Sequence, residues 1–371
     1  MDDASSVAVA VAIPGKCAIG GQVTPADFRL HAGRECSVSS RPSIVVDRSA
    51  VAADVRRLSV LSSWRSAAAI AREWTLIGSV AGAAIWLDHP VCWLLAVVLI
   101  ATRQHALLIL MHEGAHHRLF SDRKVNDAVS DLLLAFPLNV STTRYRRLHG
   151  RHHRHTNHAA DPDRATIAAD DQWQFPRSRS SALAVAIRDL TGVNLPRTLR
   201  AFGLYAPWTS LMERVQGNTR TGLTNGEIAR LAVLQAVIGA GLFLTDGWLA
   251  FAVLWILPTA TVLPLLLRIR GVAEHEGVPG GDEVQETRHV DAGRVEAFLL
   301  SPFHINFHTA HHLFPSVPWY NLPELHARLM QEPAYASRLV SAPSYTGPGG
   351  VFDELTQVAR PSATPVLLGA P

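Results

Sequence analysis

The chain has few cysteines for its length. Its 371 residues include three, Cys17, Cys36 and Cys92. They form no metal-spaced pair, and an odd number at wide spacing argues against a disulfide framework. The sequence also lacks a fused His-Pro-Gly-Gly haem-binding module, a flavin fingerprint and a cysteine cluster for an iron–sulfur centre. We therefore expect no thiolate metal site, and any electrons for redox chemistry must come from outside.

Charged residues are also scarce. They make up 18% of the chain, against about 25% in typical globular domains, and the mean hydropathy is +0.13. Two long stretches, 74–111 and 231–267, are almost entirely apolar, and each is broken by a short polar turn. Because a bilayer span needs roughly 20 residues, each stretch can form two spans. Two buried hairpins in a soluble core are the alternative, but the stretches lack the polar stripe of soluble helices. We predict spans at about 70–87, 91–111, 229–245 and 247–267.

The distribution of basic residues predicts the orientation of these spans. The two hairpin turns, 88–90 and 245–247, contain no Lys or Arg, whereas the flanking segments contain many. The positive-inside rule then places both termini on the cytoplasmic side. A net charge of +3 is explained by anionic lipid headgroups and requires no nucleic acid. Arg103, inside the second predicted span, lies either near the interface or behind a metal site.

The predicted organisation is one membrane domain between two tails. Residues 1–50 show no sustained periodicity, and we interpret them as a flexible N-terminal tail. The membrane domain covers 51–333. Residues 334–371 are rich in proline and glycine and are predicted to form a flexible C-terminal tail.

Three dense histidine clusters follow the apolar stretches. They read His112-Glu-Gly-Ala-His116-His117, His149-Gly-Arg-His152-His153 and His308-Thr-Ala-His311-His312. Residues three or four apart share a helix face, so the histidines of each cluster can converge. Neutral imidazole is the commonest side-chain metal ligand. Three such faces offer more ligands than a single ion takes, which predicts a two-metal site.

The clusters allow two other interpretations. His112-Glu113-x-x-His116 alone matches the zinc-protease pattern, with two ligands and a glutamate base. That interpretation leaves the histidines of the other two clusters without a role. A non-catalytic metal-binding or transport protein is also possible on composition, but a transporter should carry ionisable ligands within its spans, whereas these clusters lie just outside them.

The clusters HEGAHH, HGRHH and HTAHH, with their order after each hairpin, resemble the histidine boxes of the membrane-bound fatty acid desaturase superfamily, bacterial type. The segments from Tyr145 to Asp163 and from Asn306 to Pro323 resemble it too. The resemblance covers about residues 70–330. One departure lies in the third box, where many relatives carry Glu and this chain has Thr309-Ala310.

The resemblance implies a set of iron ligands and of residues that hydrogen-bond to them. The implied ligands to two irons are His112, His116, His117, His149, His152, His153, His275, His308, His311 and His312. The spacing alone leaves open whether His116 or His117 is the main ligand. The residues implied to support the ligands are Glu113, Asn157, Asp161, Asp163, Glu274 and Asn306. His155, His158 and His304 are expected beside the site or on the surface.

The resemblance also implies a fold and an activity. The fold is an all-α integral membrane protein, with four transmembrane helices in two hairpins and a cytoplasmic histidine-rich helical cap. The activity is O2-dependent desaturation of a fatty acyl chain carried by lipid, CoA or carrier protein. Hydroxylation, ketolation or acetylenation on the same scaffold is the alternative. The implied partners are a ferredoxin- or cytochrome-type donor with an NAD(P)H reductase, and membrane lipids. The implied location is the bacterial inner membrane.

Overall fold

The computed structural model describes residues 43–168, 170–218 and 222–356. The described chain is mainly helical. Its α-helices in the first half are α1 (Arg48–Leu58), α2 (Ser63–Leu87), α3 (Pro90–Ala115), α4 (Arg123–Val129), α5 (Thr142–His155), α6 (Pro162–Ala168), α7 (Arg179–Leu190), α8 (Leu195–Phe202) and α9 (Pro207–Val215).

The second half adds two long helical segments and several short ones. They are α10 (Asn225–Thr245), α11 (Trp248–Phe251), α12 (Leu257–Ala260), α13 (Val262–His275), α14 (Arg294–Leu299), α15 (His308–Leu313), α16 (Leu322–Leu329), α17 (Pro333–Ala336) and α18 (Val351–Thr356). Two π-helical segments, Ser130–Ala135 and Ala252–Ile256, interrupt the regular helices, and single 3₁₀ turns lie at Phe136–Leu138, Asp171–Trp173, Gly203–Tyr205, Pro302–His304 and Trp319–Asn321. Two short strands, β1 (Arg288–Val290) and β2 (Val340–Ala342), pair in parallel, with Arg288 opposite Val340.

Helix α3 forms the centre of the fold. It begins at Pro90, where a missing N–H costs nothing, and the ring Nδ1 of His89 accepts a 3.3 Å hydrogen bond from the backbone N–H of Val91. From Ile100 to Ala115 nearly every side chain is buried. Such all-round burial explains why this half of the helix has no solvent-facing polar stripe. The buried half ends at the first histidine cluster.

Three helical segments are long and apolar enough to cross a membrane by length and composition: Pro90–Ala115, Asn225–Thr245 and Trp248–His275. They match three of the four predicted spans. Helix α2, which contains the predicted span 70–87, is not among them, because Arg72 and Glu73 lower its hydropathy. Trp86 and Phe243 at the hairpin turns are 83% and 81% exposed. Exposed apolar area on this scale is typical of a surface that contacts lipid.

Arg103 on α3 is buried and forms an ion pair across the first hairpin. Its Nη1 donates a 3.1 Å hydrogen bond to Glu73 on α2, and its guanidinium lies 3.7 Å from the centroid of the Phe298 ring. The sequence left open whether Arg103 lies near the membrane interface or behind the metal site. These contacts match neither position. Arg103 joins two helices instead.

The boundaries of both predicted tails need correction. Val46 is buried and its backbone N–H donates to Glu283, so residues 43–50 belong to the fold. Residues 334–356 also fold, since they contain β2, α17 and α18 and bury Tyr335 and Tyr345. Proline and glycine suggested a tail, but here they form turns between short packed elements. The remaining parts of the predicted tails, 1–42 and 357–371, lie outside the described residues.

Candidate metal centre

Nine of the ten histidines predicted as ligands come together in the structure. They are carried by the end of α3, the second half of α5, the last residue of α13 and the short helix α15. Two groups form within the cluster. The first contains His112, His116, His149, His153 and His311, whose candidate ligand atoms all lie within 4.8 Å of one another. The second contains His152, His275 and His312, with the same limit, and His308 adjoins it.

Helical spacing explains how one box serves both groups. On α5, His149 and His153 are four residues apart and face the first group, while His152 faces the second. On α15 the pattern is reversed: His308 and His312 lie on the side of the second group, and His311 turns to the first. Positions i and i+4 lie on one face, and i+3 lies to its side. An H-x-x-H-H box on a helix therefore divides its ligands between two sites.

The first group is compact. The ring centroid of His112 lies 4.6 Å from that of His149 and 4.5 Å from that of His311. The Nε2 atoms of His149 and His153 are 2.9 Å apart. His116 completes the group, with its ring centroid 4.8 Å from that of His153. Five imidazoles thus surround one small volume.

The second group lies directly beside it. The rings of His153 and His312, one from each group, stack with their centroids 4.2 Å apart. Within the second group, the Nε2 atoms of His275 and His308 are 3.0 Å apart. The His152 and His275 centroids are separated by 4.8 Å.

The chemistry of these nitrogens fits bound metal. Ring nitrogens of His112, His116, His311 and His312 are buried with no hydrogen-bond partner among the described residues. Buried polar atoms are normally satisfied, so such a concentration requires an explanation. Burial, and then the proximity of other histidines, holds the pKa of His149, His153 and His312 well below the usual 6.5. The same holds for His308 and His311. Neutral imidazoles are the form that binds a metal ion.

His152 differs from its neighbours because it has an acidic partner. Its Nδ1 lies 2.9 Å from Oδ2 of Asp161 and 3.7 Å from Asp163. Burial lowers the pKa of His152, but the hydrogen bond to Asp161 and the charges of both aspartates outweigh burial and raise it. A carboxylate on Nδ1 fixes the tautomer that leaves Nε2 free for metal. Asp161 and Asp163 therefore lie where the sequence analysis expected them.

Asn157 and Tyr205 hold these two carboxylates in place. The backbone N–H of Asn157 donates to Asp161 over 3.0 Å, and its side chain donates to the carbonyl of Glu286 over 2.7 Å. Asn157 has a φ of 59°, a conformation that asparagine tolerates better than most residues. The Tyr205 hydroxyl donates to Asp163. Asn157 therefore supports His152 through Asp161.

The two predicted glutamates also contact the cluster. Glu113 lies 3.5 Å from Nδ1 of His112 and accepts a 2.9 Å hydrogen bond from the backbone N–H of Trp319. Glu274 Oε2 lies 3.6 Å from Nε2 of His308, close enough to belong to a metal-binding group with His275 and His308.

His117 is not brought to the cluster, and its prediction as a ligand is corrected. Helix α3 ends at Ala115, and His117 adopts a φ of 56° that turns its ring away. Its Nδ1 lies 3.4 Å from the side-chain nitrogen of Asn126 and 3.5 Å from Asp127. The i, i+4 relation that pairs His112 with His116 ends with the helix.

Asn306 also lies elsewhere than expected. It exchanges hydrogen bonds with the backbone of Val290, and among the described residues it forms no hydrogen bond with a cluster histidine. It therefore holds β1 beside α15. His155, His158 and His304 belong to no metal-binding group in the part of the chain that the structure describes. His158 lies near Glu286, and His304 is exposed near Trp319.

Sequence reasoning missed most of the residues that form a cavity beside the cluster. This cavity of ≈ 180 Å³ reaches His149, His152, His275 and His308. Its other lining residues are Leu108, Met111, Val140, Tyr145, Asp163, Ile167, Asp170, Trp173, Ala201, Phe202, Tyr205, Leu267, Arg270, Gly271 and Glu274. Two features of the sequence could have pointed to the cavity. Tyr145 precedes His149 by one helical turn, and its ring stacks on His149 with centroids 4.9 Å apart. Arg270 is a charge within an apolar helix, a position that usually has a function.

Comparisons with known proteins agree with this geometry. The dihydrorhizobitoxine desaturase of Bradyrhizobium elkanii is 25% identical over 308 residues, which cover 78% of this chain and 82% of that protein. The sn-1 oleoyl-lipid 12-desaturase of a Synechocystis species is 26% identical over 266 residues, covering 66% and 69%. The beta-carotene ketolase of a Paracoccus species is 25% identical over 248 residues, covering 65% and 83%. The family model for fatty acid desaturase matches residues 55–343. That match spans most of the chain and includes all three histidine boxes, so this protein belongs to the fatty acid desaturase family.

Proposed function

We propose that the protein catalyses O2-dependent desaturation of an acyl chain at a histidine-ligated di-iron centre, with electrons from an external donor. The observation that carries this proposal is the pair of adjoining histidine groups beside a largely apolar cavity. Family membership implies an oxidoreductase and disfavours a zinc protease. Five histidines in the first group also exceed the three protein ligands typical of catalytic zinc.

A di-iron group, when bound, supplies the O2-activating chemistry needed to remove hydrogen from an unactivated methylene. The chain's own residues do the rest. The histidines of the first and second groups would hold the metals, and Asp161, on Nδ1 of His152, keeps Nε2 of that ring unprotonated. Leu108, Met111 and Leu267 give the cavity apolar walls that fit a hydrocarbon chain and exclude water.

We also propose the membrane arrangement that the sequence predicts. The three apolar helices and α2 would form four spans in two hairpins, with the histidine cluster on the cytoplasmic side of a bacterial inner membrane. The exposed apolar side chains beside both hairpin turns, and the absence of Lys and Arg from the turns, support this orientation. A ferredoxin- or cytochrome-type donor would then dock on the basic cytoplasmic face, and its binding should weaken as salt is added.

A sister oxidation on the same scaffold is the second candidate. The observation that favours it is the similarity to a beta-carotene ketolase, which covers 65% of the chain at an identity close to that of the desaturases. Loss of two hydrogens and gain of oxygen are distinguished by mass.

The test is a mass spectrum of total acyl chains from a bacterial host that expresses the protein, compared with the His311→Ala variant. Desaturation predicts species two hydrogens lighter, which the variant lacks. Species heavier by one oxygen would replace desaturation with hydroxylation. If both strains gave identical spectra with iron bound and a donor supplied, acyl desaturation would be refuted for the chains of that host.

A further inference from the structure

The polar end of the cavity beside the histidine cluster contains a guanidinium with free donors. Arg270 lies on α13 one turn before Glu274, and its Nε donates a 2.8 Å hydrogen bond to Oε1 of that glutamate. No described acceptor lies within hydrogen-bonding distance of its two terminal nitrogens. The side chain is 13% exposed, and it lines the cavity. Arg270 thus presents an unused fork of N–H groups to whatever occupies the cavity.

The acidic groups of the same cavity already have partners. Asp163 accepts from the Tyr205 hydroxyl, and Asp170 accepts a 2.8 Å hydrogen bond from Arg197. Glu274 engages Nε of Arg270 but leaves the two terminal nitrogens free. Among the charged side chains that line the cavity, the unused donors are therefore those of Arg270, and a planar guanidinium edge binds a carboxylate through two parallel hydrogen bonds.

We propose that Arg270 anchors the carboxylate of an apolar acid, with the hydrocarbon end lying against the apolar wall of the cavity. This inference rests on the proposed function for the identity of the cavity as the substrate site. It refines that function, because lipid, CoA and carrier-protein esters have no free carboxylate at the end of the acyl chain.

The position of Arg270 adds a constraint on how the acid lies. One carboxylate, that of Glu274, separates the guanidinium from the histidines: Oε1 contacts Arg270, and Oε2 lies 3.6 Å from Nε2 of His308. An acid anchored at Arg270 therefore places its first few carbons beside His308. The cavity of ≈ 180 Å³ is also below the roughly 300 Å³ at which ordinary ligand pockets begin. A short chain fits it better than a long one.

The experiment measures binding by calorimetry to the purified, iron-loaded full chain, without O2 or reductant. The probes are hexanoate and hexanamide, which match in shape and differ in charge. We expect the wild type to bind hexanoate about 10- to 100-fold more tightly, the range for a charge-assisted pair. Arg270→Gln should abolish that preference, and Arg270→Lys should restore part of it. Arg200→Gln, an exposed arginine two residues before Phe202 of the cavity wall, should keep it.

Two outcomes would overturn the proposal. Equal binding of hexanoate and hexanamide to the wild type would overturn it. This comparison needs no variant, so it remains valid even if Arg270→Gln fails to fold. A preference that survives in Arg270→Gln would place the carboxylate elsewhere, for example on the metals. Binding is measured without turnover. If the wild type prefers hexanoate through Arg270 but yields no desaturated product, the proposed reaction is refuted and the carboxylate site is not.

Discussion

Asp161→Asn tests how the second histidine group is held. In the structure, Oδ2 of Asp161 accepts from His152 Nδ1 and from the backbone N–H of Asn157, and Oδ1 accepts from the backbone N–H of Asp163. Asparagine replaces one of the two carboxylate oxygens with an NH2 group, which donates hydrogen bonds and does not accept them. If its NH2 faces His152, the ring proton must move to Nε2, the nitrogen that faces the metal group.

The expected size of the effect follows from these contacts. If the amide oxygen faces His152 instead, the hydrogen bond remains but loses its charge, which about halves its strength. Replacing such a partner of a ligand typically lowers metal affinity about 10- to 100-fold, or about 1.4–2.7 kcal/mol. The loss should fall on the second group and spare His112, which has no contact with Asp161.

Iron content by elemental analysis, followed by titration against a chelator, measures this change. The matched control is Asp282→Asn, since Asp282 is also buried and accepts backbone N–H groups from Val284 and Gln285, but lies outside the cluster. We expect the control to keep its iron. Wild-type affinity in Asp161→Asn would refute the role given to Asp161, and equal losses in both variants would show a general loss of stability instead.

Three further predictions follow from the described contacts. His116→Ala should lose iron, whereas His117→Ala should retain it, because His117 faces away from the cluster; iron loss in His117→Ala would reverse the correction made above. Arg103→Leu should lower the free energy of unfolding by about 1–3 kcal/mol, because buried Glu73 loses this partner but keeps the hydrogen bonds from Arg72. Glu73→Leu in the same chain should recover part of that loss, and an unchanged melting curve for the single variant would contradict the buried pair. The folded-state pKa of His149, His153, His308, His311 and His312 lies below the unfolded value of about 6.5, so at these residues the unfolded chain binds more protons below that pH. The contribution of these histidines to the stability of the metal-free protein should then fall as pH drops from 6.5, by up to about 1.4 kcal/mol per pH unit for each histidine. Thermal unfolding of the wild type and of His153→Gln between pH 7 and 5 measures this contribution, and identical pH profiles for the two proteins would refute it.

The sequence predicted the grouping of the histidines more completely than the fold around them. The spacing of the histidine boxes decided which faces converge, and the structure divides the second and third boxes between the two groups by that same spacing. Spacing could not predict the position of the His117 ring, because the direction of this side chain depends on where α3 ends. It also missed Arg270 and Tyr205, since cavity walls depend on long-range packing that has no local pattern.

The ends of the domain were harder to predict for a related reason. Residues 334–356 show no periodicity and are rich in turn formers, yet Tyr335 and Tyr345 are buried by contacts with distant elements. The interaction of Arg103 with Glu73 was hidden in the same way, because hydropathy treats each charge as a cost and ignores a partner 30 residues away.

Helix α18 supports the end of α13, which carries His275. Arg288 is fully buried and donates to the carbonyls of Ala273 and Glu276 at the end of α13, and Glu354 on α18 holds its other terminal nitrogen. His275 therefore has its final support only once residue 354 has left the ribosome. Iron insertion should follow synthesis of the whole chain, and a premature stop codon before Glu354 should yield a protein that reaches the membrane but matures poorly, even though every metal ligand has been translated.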